Sequence, residues 1–204
     1  SNRSGPQNIY QKPFQRDSKT QLLASTGDAM NPTSWSTEAR ILAFYTVSTN
    51  ADRDIWTLRP KGEPKAFLTG PLNERSPMIS PDGRFIAYVS GSVGESTVHI
   101  ASYPNPKMAP SIKIGNGVEP LWTRNGRELL YRYDGRMMSI SLATTDPITT
   151  STPQVLFEDS YELDPGGNTA NYDVTKDGEK FLMVQSTTQT KKLHVVLNWT
   201  NITQ

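Results

Sequence analysis

Apolar residues fall in short runs along this chain, broken by polar turns rich in Gly, Pro, Asn and Ser. Ile41 to Tyr45, Phe85 to Val89, Leu129 to Tyr131 and Phe181 to Val184 are apolar at successive rather than alternate positions. A half-buried strand alternates, whereas a continuous short run needs cover on both faces. The runs are short and rich in aromatic and β-branched residues, so they predict strands rather than helices. No capped amphipathic helix is found. Each run follows a hydroxyl residue and a turn. The clearest copy reads SPMISPDGRFIAYVSG from Ser76, and TSWSTEARILAFYT from Thr33, PLWTRNGRELLYRY from Pro120 and YDVTKDGEKFLMVQ from Tyr172 repeat it in phase. The hydroxyl falls at Ser36, Ser80, Thr123 and Thr175, at intervals of 44, 43 and 52 residues. In the clearest copy Pro81 presets the first turn position, Asp82 can bond its own backbone, and Gly83 takes the positive φ of a tight hairpin. Asn125 with Gly126 and Asp177 with Gly178 keep that chemistry, while Glu38 with Ala39 loses it and predicts a different first turn.

Further strands can be placed by the same register. About a dozen residues beyond each run lie Asp54 to Leu58, Val98 to Ala101, Met137 to Ile140 and Leu193 to Leu197. A shorter fourth strand follows at Ala66 to Leu68, Ser111 to Ile114 and Gln154 to Phe157. Near the start of the sequence, NIYQKP and TQLLAST read as the third and fourth strands of another unit. A four-stranded unit with a period in the low forties is the blade of a β-propeller. The sequence thus predicts an all-β fold, a β-propeller of about four to five four-stranded antiparallel blades, either closed on itself through its terminal strands or left as an incomplete ring. It reads as one domain: a partial blade over 1–30, blades over 31–74, 75–117 and 118–160, and a C-terminal partial blade over 161–204. Trp35, Ile79, Trp122 and Val174 take equivalent positions in successive first strands and are expected to be buried between blades.

Composition narrows the function classes. Of 204 residues, 35% are apolar and 20% charged, ordinary for a globular domain able to bury a core. A formal charge of +1 with no block of like charges gives no footprint for nucleic acid or anionic lipid. No apolar run is long enough to insert in a membrane, and the first residues lack a signal-peptide core. With no cysteine, disulfides, iron–sulfur clusters and thiol catalysis are excluded. The two histidines, His99 and His194, fall in third strands at similar positions and suggest packing or a sheet edge rather than metal binding. No nucleophile elbow, HExxH helix or phosphate loop occurs, so no catalytic residue, metal ligand or cofactor is assigned. The acidic turn residues shape hairpins, and calcium has no further support.

Ligand-binding candidates come from position. Glu74 and Glu119 each stand just before a first strand, with Asp28 and Asn168 in comparable entry loops, and these loops should gather at one mouth of the central channel. Two such acids could act as a glycosidase pair or bind a carbohydrate; the competing reading has them bonded to backbone amides. The longest interval places an insertion at FEDSYELDPGGNTANYD, where Tyr161, Glu162, Asp164 and Asn168 combine an aromatic ring with polar groups. A long loop on a rigid scaffold is a natural recognition element.

SPDGRFIAYVS, VEPLWTRNGRELLYR and NYDVTKDGEKFLMV followed by LHVVLNWT resemble the TolB-like, WD-repeat-like propellers at the C-terminal end of many bacterial proteins, including membrane-anchored serine/threonine kinases and tetratricopeptide regulators. The resemblance runs from NIYQKPF to VVLNW. Such propellers are longer, and this segment is similar to their last four to five blades. They commonly carry a full SPDG in the blade that here has Ser36, Thr37, Glu38 and Ala39. The resemblance implies a non-catalytic sensor or scaffold domain on the periplasmic or extracellular side of a bacterial membrane, with a protein or peptide partner. The terminal partial blades are complementary, which raises the expectation of a homodimer or strand exchange.

Overall fold

The computed structural model describes residues 5–14, 17–92, 94–108, 110–143, 148–158, 160–164, 166, 168–175 and 178–185. The strand expected at Leu193 to Leu197, with His194, and the turn residue Asp177 lie outside them. The described residues contain strands and no helix. β1 (Ile9–Gln11) and β2 (Gln21–Ala24) pair as a two-stranded sheet. A first blade follows in chain order: β3 (Ala29–Ser36), β4 (Ile41–Val47), β5 (Arg53–Leu58) and β6 (Lys65–Leu68). The second blade is β7 (Glu74–Ile79), β8 (Phe85–Ser90), β9 (Thr97–Ser102) and β10 (Ile112–Asn116). In the third, β11 (Val118–Trp122), β12 (Glu128–Tyr133) and β13 (Arg136–Ala143) are completed by β14 (Thr149–Thr150) and β15 (Gln154–Glu158), both paired with β13. β16 (Tyr172–Val174) and β17 (Phe181–Met183) form a last hairpin. All pairings are antiparallel, and among the described residues the ring is not closed.

The doubly apolar runs are explained by stacking. All six residues of β8 are buried, and their side chains divide between two interfaces. Ile86 and Tyr88 pack with Ile41, Ala43 and Ile55 of the first blade. Phe85 and Ala87 pack with Trp122, Leu129 and Tyr131 of the third. Ile9 and Ala24 of the first hairpin cover Met30, Phe44 and Leu58 in the same manner. A strand between two blades has no wet face, so alternation is lost.

The hydroxyl residues close the hairpins. Ser80 Oγ accepts a bond from the Phe85 amide (3.0 Å) and donates to Asp82 Oδ1 (2.7 Å). Thr123 repeats this with the Glu128 amide and Asn125, and Thr175 Oγ1 accepts from the Lys180 amide. The first turn differs: Ser36 Oγ accepts from the Ala39 amide, and the positive φ moves one residue on, to Arg40.

One core expectation needs correction. Ile79 and Trp122 are buried and Val174 is half-buried, but Trp35 is 53% exposed. The Trp122 indole lies against the preceding blade and donates to the carbonyl of Met78 (2.9 Å). Among the described residues, β1 and β2 precede β3 and offer no equivalent of β7 for Trp35 to meet.

Candidate functional site

The first strands β3, β7, β11 and β16 line a central cavity of about 290 Å3, with Thr33, Ser76, Leu121 and Tyr172 on its wall. β7 touches both β3 and β11. Each of these three strands carries an irregularity near its start, between Pro32 and Ser34, Arg75 and Met78, and Val118 and Leu121. In two of them a non-glycine residue takes a positive φ: Ser76 at 54° and Glu119 at 57°. Such a conformation costs on the order of 1–3 kcal/mol and persists where surrounding contacts fix it.

At Glu119 those contacts are on view. The residue is fully buried. Its carboxylate accepts from the Asp164 amide (2.6 Å), the Asn171 amide (3.2 Å) and Arg132 Nη1 (3.2 Å), and its carbonyl accepts from the Tyr172 hydroxyl (3.0 Å). Arg132, also buried, donates onward to the carbonyls of Tyr161 and Glu162. Burial pushes the Glu119 carboxyl up, against the pull of the two amides and of Arg132. The pair therefore fastens the inserted loop to the third blade.

Asp164 accepts from the Asn168 amide (2.6 Å), and its charge bears on Tyr45 of the first blade and Arg75 of the second. Arg75 is 1% exposed and donates to the Gly91 carbonyl and Ser96 Oγ, both at 2.6 Å. Burial, then the neighbouring Arg53, holds its pKa below the usual value. Asn168 lines the central cavity with its Oδ1 buried and unbonded. Tyr161, Glu162, Asp164, Asn168 and Glu119 are thus brought together in one hydrogen-bonded cluster.

Glu74 and Asp28 do not join them. Glu74 is not the counterpart of Glu119: by the spacing to Ser80 and Thr123, Ser76 is. Neither acid is among the charges that shift the other. Glu74 is nine-tenths buried, with Oε2 unbonded, and burial followed by the charge of Asp54 pushes its carboxyl up to about 7. Asp28, half-buried before β3, makes no hydrogen bond or ion pair among the described residues. His99 stacks on Tyr88 and shares a 2.8 Å hydrogen bond with Thr97, an interior packing role. Among the described residues no three of His, Asp and Glu gather to hold a metal ion.

Sequence reasoning missed Arg132 and Arg75. Arg132 had a signal: a cation inside the apolar run LLYRY must find a partner if the strand is covered on both faces. Beside the loop it anchors, a cleft of about 560 Å3 opens between the second and third blades, with Ser96, Lys113, Tyr133 and Tyr161 on its walls.

No family model matches the sequence, and no curated protein matches it. Solved structures do. TolB from Acinetobacter baumannii is 16% identical with a TM-score of 0.55, over 84% of this chain and 41% of that one. The nidogen/laminin complex gives 12% identity and a TM-score of 0.60, over 88% and 67%. Oligogalacturonate lyase in complex with manganese gives 13% and 0.54, over 82% and 48%. The chain spans less than half the length of the TolB it matches. At these identities the likeness is one of fold, a β-propeller that binding modules and enzymes share.

Proposed function

We propose that this chain is a non-catalytic recognition module, a propeller whose loop-bearing mouth holds a protein or peptide. One observation carries the reading: Glu119, the acid best placed at the mouth, is wholly committed to structure. Its two carboxylate oxygens accept three donors and it has no exposed surface to offer a substrate. Tyr161, Glu162 and Asp164 of the loop are held at their backbone by Arg132 and Glu119, and pre-organisation lowers the ordering cost of binding. In the bacterial proteins that the sequence resembles, such propellers are sensor or scaffold parts outside the cytoplasmic membrane, and we assign this chain the same setting. We extend the proposal to edge pairing between two copies, which a strictly monomeric mass at high concentration would reject.

A hydrolase is the second reading, favoured by Glu74, whose raised carboxyl beside Asp54 has the character of a general acid. Assay of the chain on an oligosaccharide panel, alongside peptide display on the immobilised chain, separates the two. Saturable peptide binding without turnover supports recognition. Turnover abolished by Glu74→Gln overturns it.

A further inference from the structure

We infer that the cleft between the second and third blades seats an extended peptide, which lays a bulky apolar side chain against Tyr133 and Leu163 and a carboxylate against Lys113. This rests on the recognition reading above and adds the chemistry of the partner. The cleft volume of about 560 Å3 lies within the range of roughly 300–1,000 Å3 usual for ligand sites. Tyr133 and Leu163 line it while 43% and 47% exposed, large apolar groups left open to solvent. Exposed tyrosine is the kind of rigid, amphipathic surface on which binding energy concentrates.

The charges decide which ligand fits. Arg132 reaches the cleft, but its guanidinium is spent on Glu119 and on the carbonyls of Tyr161 and Glu162. Lys113 is exposed and makes no ion pair or hydrogen bond among the described residues. Of the acids on the wall, Asp134 faces Arg136 at 3.5 Å, which leaves Glu95 as an acceptor for backbone N–H groups. A peptide carrying one acidic group pairs its charge with Lys113 and its backbone N–H groups with Glu95, whereas a neutral sugar brings no charge for Lys113. The walls are set before any ligand arrives: Arg75 and the Ser92 carbonyl hold Ser96 Oγ, and the Ser96 carbonyl accepts from the Gly117 amide at 2.9 Å.

The test starts from short peptides selected by display on the immobilised chain, then made with a fluorescent label and titrated by polarisation. The expected peptides place Asp or Glu near Leu, Phe or Tyr. Lys113→Glu and Tyr133→Ala, both at exposed positions, should each weaken binding by about tenfold with an unchanged circular dichroism spectrum. Replacing the peptide's acid by Lys should restore binding to Lys113→Glu, which a merely structural lysine would not allow. Peptides that bind the wild type and both variants alike would overturn the cleft assignment while leaving recognition standing. Selected peptides without an acid would overturn the role of Lys113. If only oligosaccharides bind, the peptide reading and the recognition proposal it rests on fall together.

Discussion

Glu119 adopts a backbone conformation that glutamate rarely takes, and its buried carboxylate is matched by donors from the inserted loop and from Arg132. Removing one member of a buried pair leaves the other charge uncompensated, so Arg132→Leu should lower stability by about 3–5 kcal/mol in urea unfolding. The double variant Arg132→Leu with Glu119→Leu should recover part of that loss, since no lone charge remains. Glu74 gives a pH signature of opposite origin. Its folded pKa, about 7, lies above the ordinary glutamate value of 4.5, so the folded protein holds a proton that the unfolded chain releases between those values. Stability should fall as pH rises from about 4.5 to 7, by up to about 3 kcal/mol, and Glu74→Gln should flatten that slope in melts at stepped pH. The two tryptophans calibrate the repeat: Trp122→Ala should cost about 3–5 kcal/mol, and exposed Trp35→Ala within about 0.5 kcal/mol. Both residues were legible as equivalent in the sequence. Their unequal burial was not, because it depends on what stands in the preceding blade.

Hairpins stack as the blades do. The Cβ of an alanine at position 83 would fall 2.3 Å from the Ala39 Cβ of the neighbouring turn, and Gly83 also sits at φ 70°. Gly83→Ala should therefore destabilise by about 1 kcal/mol or more, and adding Ala39→Gly should return only the steric part, as read by thermal unfolding. The strands themselves were visible from apolar runs and turn chemistry, because covered strands carry a continuous pattern and the hydroxyl caps recur at fixed offsets. β14 was not anticipated; it is two residues long, below any periodic signal. Nor were the irregularities in β7 and β11 legible, since no residue type marks a positive φ at Ser76 or Glu119. The offset between the two acids was legible, since Glu74 stands six residues before Ser80 and Glu119 four before Thr123; the backbone turn that buries Glu119 was not.

At the scale of the molecule, the inserted loop is held on the third blade, where Glu119 and Arg132 bond its backbone, and the charge of Asp164 bears on Tyr45 of the first blade and Arg75 of the second. The insertion could be read from the long last interval, and its aromatic and acidic residues marked it as a candidate surface. Its attachment to the third blade is a tertiary fact, set by a carboxylate and an arginine 13 residues apart in the chain. A fold shared by binding modules and enzymes cannot itself decide between them, so the account turns on which face is used. Hydrogen exchange of the chain, with and without a saturating display-selected peptide, addresses this most directly. The account predicts new protection at 94–97, 113–118, 132–135 and 160–164, around the cleft and loop. Protection confined to the hairpin turns at 36–41, 79–85 and 122–128, with the loop-bearing mouth unchanged, would contradict it.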